Sequence, residues 1–193
     1  MKSPMISVAA AAVAGVVAYA SENGPALAVC VQHRETVNSL VMVKAQAIVS
    51  QVFAEAGVRV DWIPSRLCRI ATGTAIRLEM DPVVPTHFSS ETLAYALPYA
   101  GSGTTIHVFY LRIMENHREL GAEILGHVIA HEIGHVLEGI ARHSPEGLMK
   151  AHWGLHDYMR MKKQRLCFST EDVDLMRRHF LSADGLAAPS GRE

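Results

Sequence analysis

Apolar residues recur at helical spacing between residues 36 and 55. The positions that share one face are Val37, Leu40, Val41, Ala45, Ile48, Val49, Val52 and Phe53. This period predicts an amphipathic helix that packs against a core through that face. Thr36 is a suitable N-cap, and Gly57 is placed to end the helix.

Five short segments around this helix are apolar or alternate between apolar and polar residues, which is typical of β-strands. They are residues 26–31, 58–63, 75–80, 93–99 and 105–110. Pro64 and Pro82 follow two of these segments, and Gly101 and Gly103 lie in a turn signal between the last two. The pattern predicts a sheet with the helix between its first two strands.

In the second half of the chain, the sequence predicts two helices with little regular structure between them. A long helix is expected from about residue 118 to residue 138, with Gly139 at its end. The segment 169–172, Ser-Thr-Glu-Asp, predicts the start of a final helix, because an acidic first turn interacts favourably with the helix dipole. We therefore expect one domain over residues 26–182 and a flexible tail over residues 183–193.

The N-terminus has the pattern of a signal peptide over residues 1–20. Lys2 precedes an almost wholly apolar segment that ends in Ala18, Tyr19 and Ala20. A basic start, an apolar core and small residues at the cleavage positions are typical of an exported precursor. We expect a secreted protein, periplasmic or extracellular. An uncleaved anchor or a buried first helix is the alternative.

Composition and charge exclude some classes of partner. Hydrophobic residues make up 49% of the 193 positions, which is enough for a packed core. The 18 basic and 19 acidic residues leave a formal net charge of -1. Because no basic patch is interleaved with aromatic residues, we expect neither nucleic acid nor an anionic membrane as a partner.

The three cysteines, Cys30, Cys68 and Cys167, include no CxxC pair, which argues against a cysteine-based zinc site. In an exported protein, Cys30 and Cys68 could form a disulfide between the first strand and the loop after the second. Free buried cysteines are the alternative.

Candidate chemistry is concentrated in the long predicted helix. His131 and His135 are four residues apart, which places both rings on one helical face with Cβ atoms about 6 Å apart. Two such imidazoles can bind one zinc ion, and Glu132 lies beside them as a general base for a metal-activated water. The alternative is an amphipathic helix with exposed histidines, but the residues around these two are mostly apolar. His127, one turn earlier, is interpreted as a packing histidine.

The segment from His131 to Met149 resembles the metzincin clan of zinc peptidases, whose pattern is HExxHxxGxxH followed by a methionine turn. The resemblance implies that His143 is a third zinc ligand, Gly139 the turn glycine and Met149 the methionine beneath one catalytic zinc ion. The spacing departs from the clan, because Gly139 is one residue late and His143 two residues late. It is similar to that of a bacterial group of zincin-like proteins with a longer loop.

The third ligand stays open on the spacing alone. Glu171 would follow the gluzincin arrangement, in which a later helix supplies a glutamate, and His152 lies just after the methionine. The resemblance further implies an α+β, zincin-like fold. That fold has a mixed twisted sheet with a backing helix and an active-site helix, then a smaller irregular C-terminal part with a final helix.

The predicted function is that of a zinc metalloendopeptidase, a hydrolase that cleaves peptide bonds. Its partner would be a peptide or protein substrate, and we expect a monomer without stable membrane association once the leader is removed. Two alternatives remain. One is an inactive zincin-like module that only binds zinc, and the other is a zinc hydrolase that does not act on peptides.

Overall fold

The computed structural model describes residues 25–33, 37–68, 75–96 and 104–186. The predicted leader lies outside these residues, as do Thr36, the end of the fourth predicted strand and the glycine turn at 101–103. The last helix continues through residue 186, beyond the expected end of the domain at residue 182.

All five predicted strands form one sheet. They are β1 (Ala26–His33), β2 (Arg59–Ile63), β3 (Ile76–Met80), β4 (Ala94–Ala96) and β5 (Thr105–Val108). The spatial order is β2-β1-β3-β5-β4, and β4 alone is antiparallel to its neighbour. The sheet is therefore mixed, as expected, and β4 lies at its edge.

Five α-helices accompany the sheet. They are α1 (Ser39–Glu55), α2 (Tyr110–Asn116), α3 (Gly121–Glu138), α4 (Leu155–Lys163) and α5 (Thr170–Leu186), with a short 3-10 helix at Ser65–Leu67. The prediction of strand through Tyr110 was wrong, because β5 ends at Val108 and Tyr110 begins α2. The C-terminal part is also less irregular than predicted, because it contains α4.

The N-cap of α1 differs from the predicted Thr36. The side-chain oxygen of Asn38 accepts hydrogen bonds from the backbone N–H groups of Leu40 at 3.0 Å and Val41 at 3.2 Å. Asparagine is among the best N-caps, because its side chain satisfies N–H groups that have no partner within the helix. The predicted helix is confirmed from Ser39 onward.

The core lies between one face of the sheet and the helices α1 and α3. Alternate residues of the central strands point into it, and they are Leu27, Val29 and Val31 in β1 and Ile76, Leu78 and Met80 in β3. The two helices approach each other closely at Gly126, where an added Cβ would lie 2.9 Å from Ile48 Cβ and 3.0 Å from the Ala45 carbonyl oxygen. Glycine at this position therefore sets the depth at which α3 packs.

A disulfide joins Cys30 to Cys68, with Cα atoms 5.6 Å apart. The expected pairing is thus found, and it ties the segment after the 3-10 helix to the sheet. Cys167 has a free thiol, which donates to a carboxylate oxygen of Glu55 at 3.0 Å. Among the described residues, no helix is both long and apolar enough to cross a membrane.

We expect Gly126→Ala to destabilise the protein by about 1–3 kcal/mol, the usual cost of overpacking a core. Helix propensity alone would favour alanine by about 1 kcal/mol, so a net loss of stability would show that the close contact with α1 outweighs helix propensity. Urea unfolding of the variant measures the change. Gly154→Ala is the control, because no atom lies within 4 Å of its added Cβ. Equal or greater stability of Gly126→Ala would contradict the close approach.

Candidate metal centre

A cleft of about 620 Å³ lies between the edge strand β4 and the helix α3. Its lining residues include 89–96, the α3 residues Val128, His131, Glu132 and His135, and the later residues His143, 150–153 and Tyr158. The cleft thus brings the two predicted ligands, the predicted base and the sheet edge to one surface.

His131 and His135 face each other from successive turns of α3. The Nδ1–H of His131 donates to the Leu148 carbonyl oxygen at 2.9 Å, which leaves the lone pair of Nε2 free to bind a metal. The Nε2 atoms of the two histidines lie 3.0 Å apart. Their spacing on the helix and the Leu148 carbonyl together direct both nitrogens toward one point.

His143 completes a group of three. Its ring centroid lies 4.9 Å from that of His135 and 5.4 Å from that of His131, and one nitrogen of each ring falls within 4.8 Å of the others. The two rivals for the third position lie outside this group. The side chain of Glu171 is 68% exposed and pairs with Arg142 at 3.4 Å, and His152 lines the cleft without joining the cluster.

The donor set fits zinc. A tetrahedral zinc ion with bonds of 2.0–2.1 Å requires nitrogens roughly 3.3 Å apart, close to the 3.0 Å between the Nε2 atoms of His131 and His135. The exposed ring of His143 is the one with room to adjust. Three imidazoles without a fourth protein ligand are typical of a catalytic zinc site, because they leave one position open.

Burial shifts the pKa values of the three histidines in the direction that metal binding requires. It lowers the pKa of His131 to about 4, so that this ring is neutral near pH 7 and able to bind a metal. Burial also lowers the pKa values of His135 and His143. It raises the pKa of Glu132 to about 7, and a nearby dication would lower that value again by favouring the carboxylate.

His127 is a packing residue, as expected. Its Nδ1–H donates to the Glu123 carbonyl oxygen at 2.6 Å, and its Nε2 accepts the Leu166 N–H at 2.9 Å. Both ring nitrogens are therefore occupied, and the fully buried ring joins α3 to the segment before α5. Trp153, which the sequence did not indicate, packs edge-on against both His127 and His131.

Gly139 and Met149 both lie in the loop that follows α3. Gly139 ends the helix with φ 67°, a left-handed conformation that favours glycine. Met149 is fully buried, and an added Cβ at Gly134 would lie 2.7 Å from its sulfur. The methionine thus packs directly against the helix turn that contains His135.

Glu138 is a buried carboxyl group beside this loop. Its side-chain oxygens have no hydrogen-bond partner within the described part of the chain. Burial raises its pKa to about 7, and the negative charge of Asp172 adds to the shift. Glu138 occupies the position at which the metzincin pattern has glycine, so the later Gly139 leaves a titratable group in the last turn of α3.

A second group of possible ligands lies on the sheet. Single ligand atoms of Glu79, Asp81 and His107 fall within 4.8 Å of one another. The His107 ring is bonded to Asp81 at 2.7 Å and stacks on Tyr95 at 4.7 Å. Sequence reasoning missed this group, because Glu79 and His107 become neighbours only through the register of β3 and β5.

Comparison with known proteins shows the fold alone. No family model matches the chain, and no curated protein matches it in sequence. Among solved structures, it is similar to archaemetzincin from Methanopyrus kandleri, with 16% identity and a TM-score of 0.51. The match covers 83% of this chain and 99% of the other. The chain therefore has a zincin-like α+β fold, and that fold together with the three-histidine group suggests zinc binding.

We expect Glu138→Gln to stabilise the protein above pH 7 and to change little below pH 4.5. The unfolded carboxyl group ionises near pH 4.5 but the folded one near pH 7, so wild-type stability falls as the pH rises through this window. Glutamine does not ionise and removes that loss. Urea unfolding of the metal-free protein across this range measures the difference, with the exposed Glu115→Gln as control. A difference in unfolding free energy between variant and wild type that stays constant with pH would refute the raised pKa of Glu138.

Proposed function

We propose that the protein is a zinc-dependent peptidase, with His131, His135 and His143 as zinc ligands and Glu132 as the general base. The observation that supports this most directly is the convergence of three imidazole nitrogens beside Glu132 in a cleft bordered by β4. The fold shared with archaemetzincin is consistent with the proposal.

A bound zinc ion would supply Lewis acidity, which polarises a carbonyl group and makes a water molecule more acidic. The chain supplies the proton transfer. Glu132, with its pKa raised by burial, would accept a proton from the attacking water and pass it to the leaving amine. The cleft walls, which include Trp153 and Tyr158, would limit the access of bulk water.

The substrate would be an extended peptide that pairs with β4. This strand ends the sheet and is bonded to β5 on one side, and its residues 94–96 line the cleft. An exposed strand edge offers backbone N–H and C=O groups to an incoming peptide. The scissile bond would then lie in the cleft between β4 and Glu132.

Zinc content tests the ligand set. We expect the purified protein to retain one zinc ion per chain by mass spectrometry, and His131→Ala to retain almost none, because a catalytic site rarely holds zinc with two protein ligands. His156→Ala, an exposed histidine on α4, should behave as the wild type. If Glu171→Ala loses zinc and His143→Ala keeps it, the third ligand is misassigned.

Glu132→Gln separates a peptidase from a module that only binds zinc. We expect this variant to keep its zinc and to lose about 10²- to 10⁴-fold in kcat/KM on a library of quenched peptides, the usual contribution of a general base. Glu91→Gln, which also lines the cleft, is the matched control. Full zinc content with no wild-type peptide cleavage would favour the binding module, and cleavage of other ester or amide substrates would favour a different hydrolase.

We also propose that the protein is exported after cleavage of its leader. The Cys30–Cys68 disulfide supports this, since disulfides persist mainly in oxidising compartments. Expressed with its own leader in a bacterial host, the mature chain should begin at Ser21 by N-terminal sequencing and appear outside the cytoplasm. A cytoplasmic chain that still begins at residue 1 would contradict export.

A further inference from the structure

The segment that contains His143 has no regular secondary structure of its own. Within the described chain, residues 139–154 form neither helix nor strand. His143 is exposed, and its ring contacts His131 and His135 without a side-chain hydrogen bond to the described residues. Its position must therefore be set by the backbone on either side.

Both neighbours of His143 are tied to the same carboxylate. Arg142 Nη2 donates to Asp172 Oδ1 at 2.5 Å, and Ser144 Oγ donates to the same oxygen at 2.6 Å. The other oxygen, Asp172 Oδ2, accepts the Ser169 N–H at 2.8 Å. These four residues, the Asp172 network, join the His143 segment to the start of α5.

The burial and the charge of Asp172 restrain the network. Asp172 is fully buried, and its charge is balanced by the Arg142 guanidinium and by the N-terminal end of α5. The Ser169 hydroxyl accepts the Asp172 N–H at 3.2 Å, which completes a reciprocal cap. Hydrogen bonds to an ionised group are roughly twice as strong as neutral ones. A buried carboxylate with these partners has little freedom to move.

We propose that Asp172 is a positioning residue that holds His143 within reach of the metal. The inference rests on the proposed role of His143 as third ligand. Seven residues lie between His135 and His143, so the loop needs an anchor outside itself. Asp172 provides that anchor from a helix that contributes no ligand, because it fixes the residues directly before and after His143.

Zinc affinity of the full chain, measured by competition with a chelating dye, tests this role. We expect Asp172→Asn to weaken zinc binding by about 10- to 100-fold, as is usual when groups that orient metal ligands are lost. Asp174→Asn, an exposed aspartate on the same helix, should bind as the wild type. A role confined to stability would instead lower the melting temperature and leave zinc affinity unchanged, which would overturn the proposal.

A double-mutant cycle shows whether Asp172 acts through His143. The variant Asp172→Asn/His143→Ala should bind zinc no more weakly than His143→Ala alone. A further loss in the double variant would overturn the proposal. If the wild type binds no zinc, both this inference and the proposed function fail. If the wild type binds zinc tightly and a folded Asp172→Asn variant binds it equally tightly, only this inference is refuted.

Ser144→Ala keeps the proposal testable if Asp172→Asn does not fold. It removes one of the two bonds beside His143 and leaves the charge pair with Arg142 intact. We expect a smaller loss of zinc affinity, about 3- to 10-fold, that again disappears in the His143→Ala background. A folded Ser144→Ala with wild-type affinity would count against the network.

Discussion

The structure depends on the packing of α3, which lies against α1 and the sheet and also lines the cleft. Ile124, Leu125 and Ile129 on this helix are fully buried in the core, and His131 and His135 follow on the same rigid element. Because close contact at Gly126 fixes the depth of the helix against α1, it also fixes the distance between the histidines and β4. Core packing and site geometry are thus coupled, because a shift of α3 would move its core residues and its histidines together.

The remainder of the site depends on chain segments far from α3 in sequence. The loop after the helix is held by backbone bonds from Ser144 N–H to the Met149 carbonyl at 2.7 Å and from Leu148 N–H to the Cys167 carbonyl at 2.9 Å. The second bond keeps Leu148 in place, and the Leu148 carbonyl in turn orients His131. The segment around Cys167 therefore shapes a site to which it contributes no proposed metal ligand.

Two glutamates on α3 show that environment decides the role of a carboxyl group. Burial raises the pKa values of both Glu132 and Glu138 to about 7. Glu132 lines the cleft, where a substrate and a metal ion can reach it. Glu138 is buried away from the cleft lining, and the charges of Asp172 and Arg142 act on its pKa, so the same titration there affects folding stability rather than chemistry.

The sequence by itself determined the elements whose signal is local. The apolar period of α1, the alternation in the strands and the spacing of His131 and His135 predicted a sheet with two long helices and a pair of convergent imidazoles. That the sheet is mixed was implied only by the family resemblance. The resemblance in the loop pointed to His143, which the structure brings to the pair. Only the tertiary structure decided what depends on distant segments, namely the bond from His131 to the Leu148 carbonyl and the Asp172 network. Local periodicity reports which face of a segment is buried, whereas these contacts join residues that are neighbours only after the chain has folded.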